Sequence, residues 1–446
     1  MSKFIDRPRY VCALGGAIGT LKNLHRTIPI LHAAAGCGGN ISNALNYASG
    51  YLGSGYCAGQ ALSSSNVYEQ EIVFGGEERL YEQVENTIKI MDGDLYFIVS
   101  GCMVEMIGDD IKSVAKRFQD RDITLLAADT GGFHGNFFKG YDIVLSTLFR
   151  EFTVKTEVKN EKLINLWGIV PVQDVFWKGN LKNLKQLIED LGYEVNTFFG
   201  EDETLDNLKN AGSAVLNVVV SDTAGIEPAR VFEEVHGVPY ISVPFPIGPH
   251  GTREFLTKIA ERLGIEKAFA DKMIKKHQAR YFSYIERIAD VYNDLDLQRY
   301  AIIVGDSSYA QALARFLSDD LGWIPELVVI TDILTDEQKE IVRERFTNFE
   351  SGLKPKVVFD TDTSSVKRHF RDVWPNNNGS RYYNSFSPAF ILGSSFEKDL
   401  ADELKVPHLS VTYPISNRVV MDRAYAAYDG AIRLTEDIFS ALVANR

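Results

Sequence analysis

Cysteine is scarce in this chain of 446 residues, which holds 4. They form no Cys-x-x-Cys pair, the usual signature of a zinc site. In a reducing compartment so few thiols are not expected to pair as disulfides. No Gly-x-Gly-x-x-Gly and no Gly-x-x-x-x-Gly-Lys-Ser/Thr occurs. The chain therefore encodes neither a dinucleotide fingerprint nor an ATP-hydrolysing phosphate loop. No apolar run reaches the length of a membrane span. The opening string Met-Ser-Lys-Phe-Ile-Asp-Arg-Pro lacks the apolar stretch of a secretory signal. Positive charge is in deficit too. The net charge of -13 argues against a general nucleic-acid binder. A cytoplasmic protein with no membrane and no nucleic-acid partner is expected.

The few cysteines are not scattered at random. Cys12, Cys37 and Cys102 lie in Cys-Ala-Leu-Gly-Gly, Ala-Gly-Cys-Gly-Gly and Ser-Gly-Cys-Met, all before residue 103. Glycine beside a thiolate lets backbone approach something bulky. Three such sites suggest iron–sulfur ligands. Three is an awkward number for a four-cysteine cluster, which implies that a second chain completes the site. The plain alternative is three buried structural thiols, since free cysteine is among the most buried residue types.

Length predicts two to three domains. Hydrophobic content of 45% and charged content of 24% are ordinary globular values. Apolar runs at 94–100, 123–128, 163–170, 214–220, 300–305, 327–330 and 357–359 read as buried strands. Helical stretches at 110–117, 181–191 and 309–320 alternate with them. Strands buried on both faces and joined by helices make parallel sheets. The pattern restarts twice, so an α/β fold of three doubly wound, Rossmann-like domains is expected, at 1–158, 159–275 and 276–446. The cysteines fall in the first. Residues 265–299 read as a long helix bridging the last two, with Tyr281, Tyr284, Ile288 and Val291 near helical spacing. Residues 374–380 read as a turn. Gly305 and Asp306 end a strand, which is weak grounds for a nucleotide site. In open sheets ligands sit at strand carboxyl ends, where Cys102 falls.

Several strings resemble the nitrogenase component 1 family. Cys12-Ala-Leu-Gly-Gly-Ala, His32-Ala-Ala-Ala-Gly-Cys37-Gly and Cys102-Met-Val-Glu-Met-Ile-Gly are similar to its three cluster-ligand segments. Glu71-Ile-Val-Phe-Gly-Gly-Glu77 is similar to the segment between the second and third. Downstream, the Pro-Ile-Gly248, Thr412-Tyr-Pro-Ile-Ser-Asn-Arg418 and Tyr428-Asp-Gly-Ala-Ile-Arg-Leu434 strings resemble the β-subunit. The α-subunits carry a further cysteine and a late histidine that hold the active-site metal cluster. No cysteine follows Cys102 here.

The resemblance implies a β-type subunit of an oxidoreductase whose catalytic site lies in the partner chain. Cys12, Cys37 and Cys102 would ligate one half of an [8Fe-7S] P-cluster shared with an α-type subunit, in an α2β2 assembly. An iron protein with its own [4Fe-4S] centre would deliver electrons on ATP hydrolysis. Phe74 matches a residue near that docking surface, and a core position is its alternative. The family's serine ligand to the oxidised cluster falls at Gly132, in Thr130-Gly-Gly-Phe-His-Gly-Asn136. That departure suits a nitrogenase-like reductase, of which methylthio-alkane reductase is one kind. Dinitrogen and thioethers both remain open as substrates. A cofactor-assembly scaffold, and a tetrapyrrole reductase with a [4Fe-4S] cluster, are the alternatives.

Weaker signals surround these. His32 reads as structural, with a hydrogen bond near the cluster as its alternative. His134 could approach the cluster or stand solvated in its loop. Asp109 and Asp110 sit where a helix should begin, and capping explains them better than acid–base chemistry. Cys57 matches no ligand position.

Overall fold

The computed structural model describes residues 5–51, 62–295, 300–374 and 390–444. Cys57 and residues 375–380 of the expected turn lie outside them. Among the described residues, thirteen strands form three sheets. The first holds β1 (Thr27–His32), β2 (Ser63–Ser64), β3 (Leu95–Ser100) and β4 (Leu125–Ala128), in the order β2-β1-β3-β4. The second holds β5 (Leu163–Trp167), β6 (Glu194–Asn196), β7 (Leu216–Val219) and β8 (Tyr240–Ser242), in the order β6-β5-β7-β8. The third holds β9 (Tyr300–Gly305), β10 (Ile324–Ile330), β11 (Lys356–Phe359), β12 (Phe390–Gly393) and β13 (His408–Ser410), in the order β11-β10-β9-β12-β13. Every pairing is parallel. The fold is thus three doubly wound α/β units.

The strand pattern explains the layering. Along β3, Leu95, Phe97 and Val99 enter one apolar cluster while Tyr96 and Ile98 enter another on the opposite face. Alternating side chains need cover on both faces, which the crossover helices supply. The larger cluster runs without a break through all three sheets. No described helix is long and apolar enough to cross a membrane.

The first unit carries helices α1 (Ala13–Leu21), α2 (Ala35–Tyr47), α3 (Glu69–Phe74), α4 (Glu77–Ile90), α5 (Cys102–Ile107), α6 (Ile111–Lys116) and α7 (Phe137–Glu151). α1 and α7 cross at backbone contact. A Cβ on Gly16 would sit 2.0 Å from Phe137 O, and one on Gly140 would sit 2.0 Å from Ala13 O. Only glycine fits at this crossing, which fixes the start of α1 beside the loop that precedes α7.

The expected bridging helix is interrupted. It runs as Lys267–Ile285, a 3-10 turn at Glu286–Ile288, and Ala289–Leu295. Ala270, Ile274 and Tyr281 are its buried face, and Tyr284 is exposed. Ile285 and Ile288 continue the stripe toward the core, so Tyr284 lies one step round the helix. The helix expected at 309–320 begins earlier, at Ser307, and ends in a π turn at Phe316–Asp320.

Candidate functional site

All three cysteines stand at helix starts in the first unit. Cys12 is the N-cap of α1, Cys37 lies in the first turn of α2, and Cys102 opens α5. β1 precedes α2 and β3 precedes α5, and the two strands pair in register up to His32 and Ser100. The strand order reverses between them, so Cys37 and Cys102 occupy the sheet's topological switch point. Unpaired N–H groups and the helix dipole there favour negative charge, hence thiolate or an anionic cluster. The thiols are free and half-buried.

Cys12 joins them through the glycine loop. Its backbone bridges to Asn136, and Ala13 N–H donates to Gly135 O at 2.9 Å. Gly132 N–H donates to Cys102 Sγ at 3.0 Å. A Cβ at Gly132 would lie 3.2 Å from Cys102 Sγ, 3.4 Å from Cys12 Sγ and 3.0 Å from Cys12 Cβ. Gly132 thus faces both sulfurs, and its missing side chain is what lets its amide come so close. Burial pushes the Cys37 thiol up, and the charges of Cys12 and Cys102 add to that. The three sulfurs therefore share one electrostatic neighbourhood. Among the described residues no three His, Cys, Asp or Glu side chains converge on a single-ion site.

Among the described residues, one side of this group is open. Cβ atoms placed on Gly36 and Gly39, which flank Cys37, would meet nothing within 4 Å. Exposed apolar side chains adjoin the ligand segments in sequence: Met103 and Met106 on α5, Phe133 beside Gly132, and Val73 with Phe74 at the end of α3. Phe74 is 83% exposed, which excludes the core position that was its alternative.

Hydrogen bonds fix the ligand segments to one another. His32 is fully buried; its ring contacts Ser65 Oγ through Nδ1 and Asp109 Oδ2 through Nε2, each at 2.9 Å. Burial lowers the His32 pKa against the opposing pull of Asp109, so the ring is neutral at pH 7. A carboxylate only accepts, so Nε2 carries the proton and Nδ1 accepts from Ser65. Asp109 Oδ1 in turn accepts from Gly76 N–H at 2.9 Å. His32 thereby ties the end of β1 to the turn after Phe74 and to the loop between α5 and α6. Capping holds for Asp110, which accepts from Ser113 N–H at 2.9 Å. It does not hold for Asp109, whose carboxylate is spent on His32 and Gly76.

Glu105 is the residue that sequence reasoning missed. It accepts from Ser100 Oγ–H at 2.5 Å, from Gly131 N–H at 2.5 Å and from His134 Nε2 at 2.8 Å. It clamps the glycine loop onto α5, and its place one turn from Cys102 was the available signal. His134 stands exposed in its loop, with Nε2 held by Glu105. At the third sheet, Asp306 caps the helix Ser307–Arg315 through the amides of Ser308 and Tyr309, at 3.1 and 3.0 Å. That is a structural role for a strand end that could have signalled a nucleotide.

Comparison with known proteins gives the same reading of the fold. The family described as "Nitrogenase component 1 type Oxidoreductase" matches residues 12–443. The nitrogenase molybdenum-iron protein beta chain of Methanococcus maripaludis is 22% identical, covering 98% of this chain and 94% of that protein. The nitrogenase iron-iron protein beta chain of Rhodobacter capsulatus is 24% identical, covering 86% and 84%. The nitrogenase iron-molybdenum cofactor biosynthesis protein NifE of Clostridium pasteurianum is 28% identical over 68% of this chain and 64% of that protein. Among solved structures, nitrogenase Cp1 at pH 6.5 superposes with a TM-score of 0.81 at 21% identity, covering all of this chain and 94% of that one. The chain belongs to the nitrogenase component 1 type oxidoreductase family, and the beta chains compared cover 86% and 98% of it.

Proposed function

We propose that this chain is the β-type subunit of a nitrogenase-like reductase and that Cys12, Cys37 and Cys102 hold one half of an iron–sulfur cluster shared with an α-type subunit. The observation that carries the reading is three free, half-buried thiols at three helix starts, two of them against Gly132, on a face left open by the described residues. The donor set fits the group: soft thiolates suit iron, and a half-site open on one side suits ligands from a second chain. The shared cluster, an [8Fe-7S] P-cluster on this reading, would relay electrons from an ATP-dependent iron protein to the α-subunit's metallocluster.

The chain's own residues have defined parts in this. Helix-start amides and the Gly132 N–H offset thiolate charge. Glu105 and the His32–Asp109 pair hold the three ligand segments at fixed spacing. Phe74 and the exposed methionines supply apolar surface for partners. The substrate, dinitrogen or a methylthio-alkane, would be reduced in the partner chain. Gly132, which offers no oxygen to the cluster, supports a nitrogenase-like reductase over a strict dinitrogen enzyme.

A second reading is a cofactor-assembly scaffold, favoured by the likeness to a cofactor biosynthesis protein. Substrate reduction by the co-purified complex with its cognate iron protein separates the two. Turnover supports the reductase, and inactivity with intact clusters supports the scaffold. A [4Fe-4S] iron stoichiometry per subunit pair, with no second metal cluster, would instead support a tetrapyrrole reductase.

A further inference from the structure

Cys37 and Cys102 each sit just beyond a strand of the first sheet, and among the described residues Cys12 follows none. An irregular arm, residues 6–10, leads into it and is bound to the third unit. The third sheet winds outward from β9, through β10 and β11 on one side and β12 and β13 on the other. Its switch point therefore lies beside β9, where open α/β sheets take a ligand. The chain's own arm runs across the carboxyl ends of three of these strands.

Each strand end contributes a hold. After β11, the Asp362 carboxylate accepts from the amides of Asp6 and Arg7, each at 3.1 Å, and Thr363 N–H donates to Arg7 O at 3.1 Å. After β12, the Arg9 guanidinium forks onto Glu397: Nη2 donates to Oε1 at 2.5 Å and Nη1 to Oε2 at 3.2 Å. Nη1 also donates to Ser394 Oγ at 2.5 Å, while Ser394 N–H donates to Glu397 Oε2 at 2.7 Å. After β10, the hydroxyls of Tyr10 and Thr331 meet at 2.5 Å. The Tyr10 ring stacks on Tyr413 at 6.0 Å and meets Phe138 of α7 edge-on at 5.5 Å.

The Arg9–Glu397 pair is the strictest of these holds. Its side chains are 0% and 1% exposed, and buried charges are tolerated only when paired and hydrogen-bonded. Burial opposes the Glu397 charge, yet the Arg9 guanidinium holds that carboxyl below the ordinary carboxylate range. Two parallel bonds fix direction as well as distance, which a lysine cannot do. The arm therefore has one seat on the third unit. Three residues on stands Cys12. Val11 between them packs against Gly15, where a Cβ would lie 2.5 Å from Val11 Cγ2. On its other side Cys12 is fixed by the Ala13 amide on Gly135 O.

We propose that Arg9 is a positioning residue for Cys12, its fork onto Glu397 making the third unit the anchor that sets where this thiol stands. The inference rests on the reading of Cys12 as a cluster ligand. Cys37 and Cys102 hang on β1 and β3 and do not depend on the arm.

Amide hydrogen exchange followed by mass spectrometry on the co-purified complex tests it, with iron measured in the same samples. Arg9→Lys keeps the charge and removes the fork. Exchange in residues 11–16 should quicken by about tenfold, with the segments around Cys37 and Cys102 unchanged and bound iron reduced. Should Arg9→Lys fail to fold, Tyr10→Phe loses only the bond to Thr331, and about threefold faster exchange in the same segment is expected. Wild-type exchange at residues 11–16 in a folded variant overturns the proposal. So does equal quickening around all three cysteines, which is general loosening. Cys12→Ala is measured beside them. Full iron in Arg9→Lys with iron lost in Cys12→Ala overturns this inference alone, whereas full iron in both overturns the ligand reading and the inference with it.

Discussion

The amide of Gly132 lies 3.0 Å from Cys102 Sγ, and the same glycine faces the Cys12 sulfur. One residue without a side chain thus touches two of the three thiols. Gly132→Ser should be tolerated with a shift of a few tenths of an ångström at Cys12 Cβ, and it sets a hydroxyl beside both sulfurs. The expected result is retained iron with an altered spectrum of the oxidised complex. Gly132→Val, with two more carbons in the same space, should cost most of the bound iron. Equal iron in wild type and Gly132→Val would show that the loop does not pack against the metal.

His32 and Asp109 are 77 residues apart and buried together. His32→Ala leaves the Asp109 carboxylate short of a donor and should cost about 1–3 kcal/mol in urea unfolding. Protection of the Gly76 amide against hydrogen exchange should fall with it, because that amide depends on Asp109 being held. Asp109→Asn, which still offers an oxygen to Gly76, should lose less. A fall in stability with unchanged Gly76 protection would separate His32 from the Phe74 turn.

Two glycines predict opposite outcomes. Gly140→Ala drives a Cβ into the backbone of Ala13 and should destabilise the chain by about 3 kcal/mol or more. Gly36→Ala places its Cβ in open space at the start of α2 and should leave the fold unchanged or stabilise it by about 0.5–1 kcal/mol. If a partner covers that face, Gly36→Ala should still weaken co-purification of the α-type subunit. Full association of the variant would place the interface elsewhere.

Asp142 sets a pH dependence. Burial raises its pKa to about 7, against about 3.9 for an unfolded carboxyl. Between those values the native state holds a proton that the unfolded state has released. Its contribution is therefore complete below about pH 4 and is lost as pH rises toward 7, at up to about 1.4 kcal/mol per pH unit. Asp142→Asn keeps an acceptor for Gly225 N–H and removes the titration. Urea midpoints measured from about pH 4 to 7 should fall less steeply in the variant. Parallel curves would show that Asp142 ionises normally.

What could be read in the sequence follows from how local each cause is. β3 and β9 were visible because both faces are buried and the runs are continuously apolar. Ser63–Ser64 and Glu194–Asn196 were not, since they are two and three residues long and owe their pairing to β1 and β5. The cysteines stood out through neighbouring glycine, and the placement of Cys37 and Cys102 at helix starts follows from the strand–helix alternation. Asp109 and Asp110 cannot be told apart in sequence, because one bonds within its own turn and the other to a histidine in a distant strand. Glu105 was hidden for the same reason: two of its partners, Gly131 and His134, come from a loop beyond the next strand.

Iron and acid-labile sulfide in the co-purified complex, wild type beside Cys37→Ala, test the shared cluster most directly. Cys37 is half-buried on the open side, so its loss should spare the fold, which circular dichroism and urea unfolding check. The shared half-site predicts a clear fall in both iron and sulfide, with weaker retention of the α-type subunit. Unchanged iron and sulfide in a folded Cys37→Ala complex would contradict it.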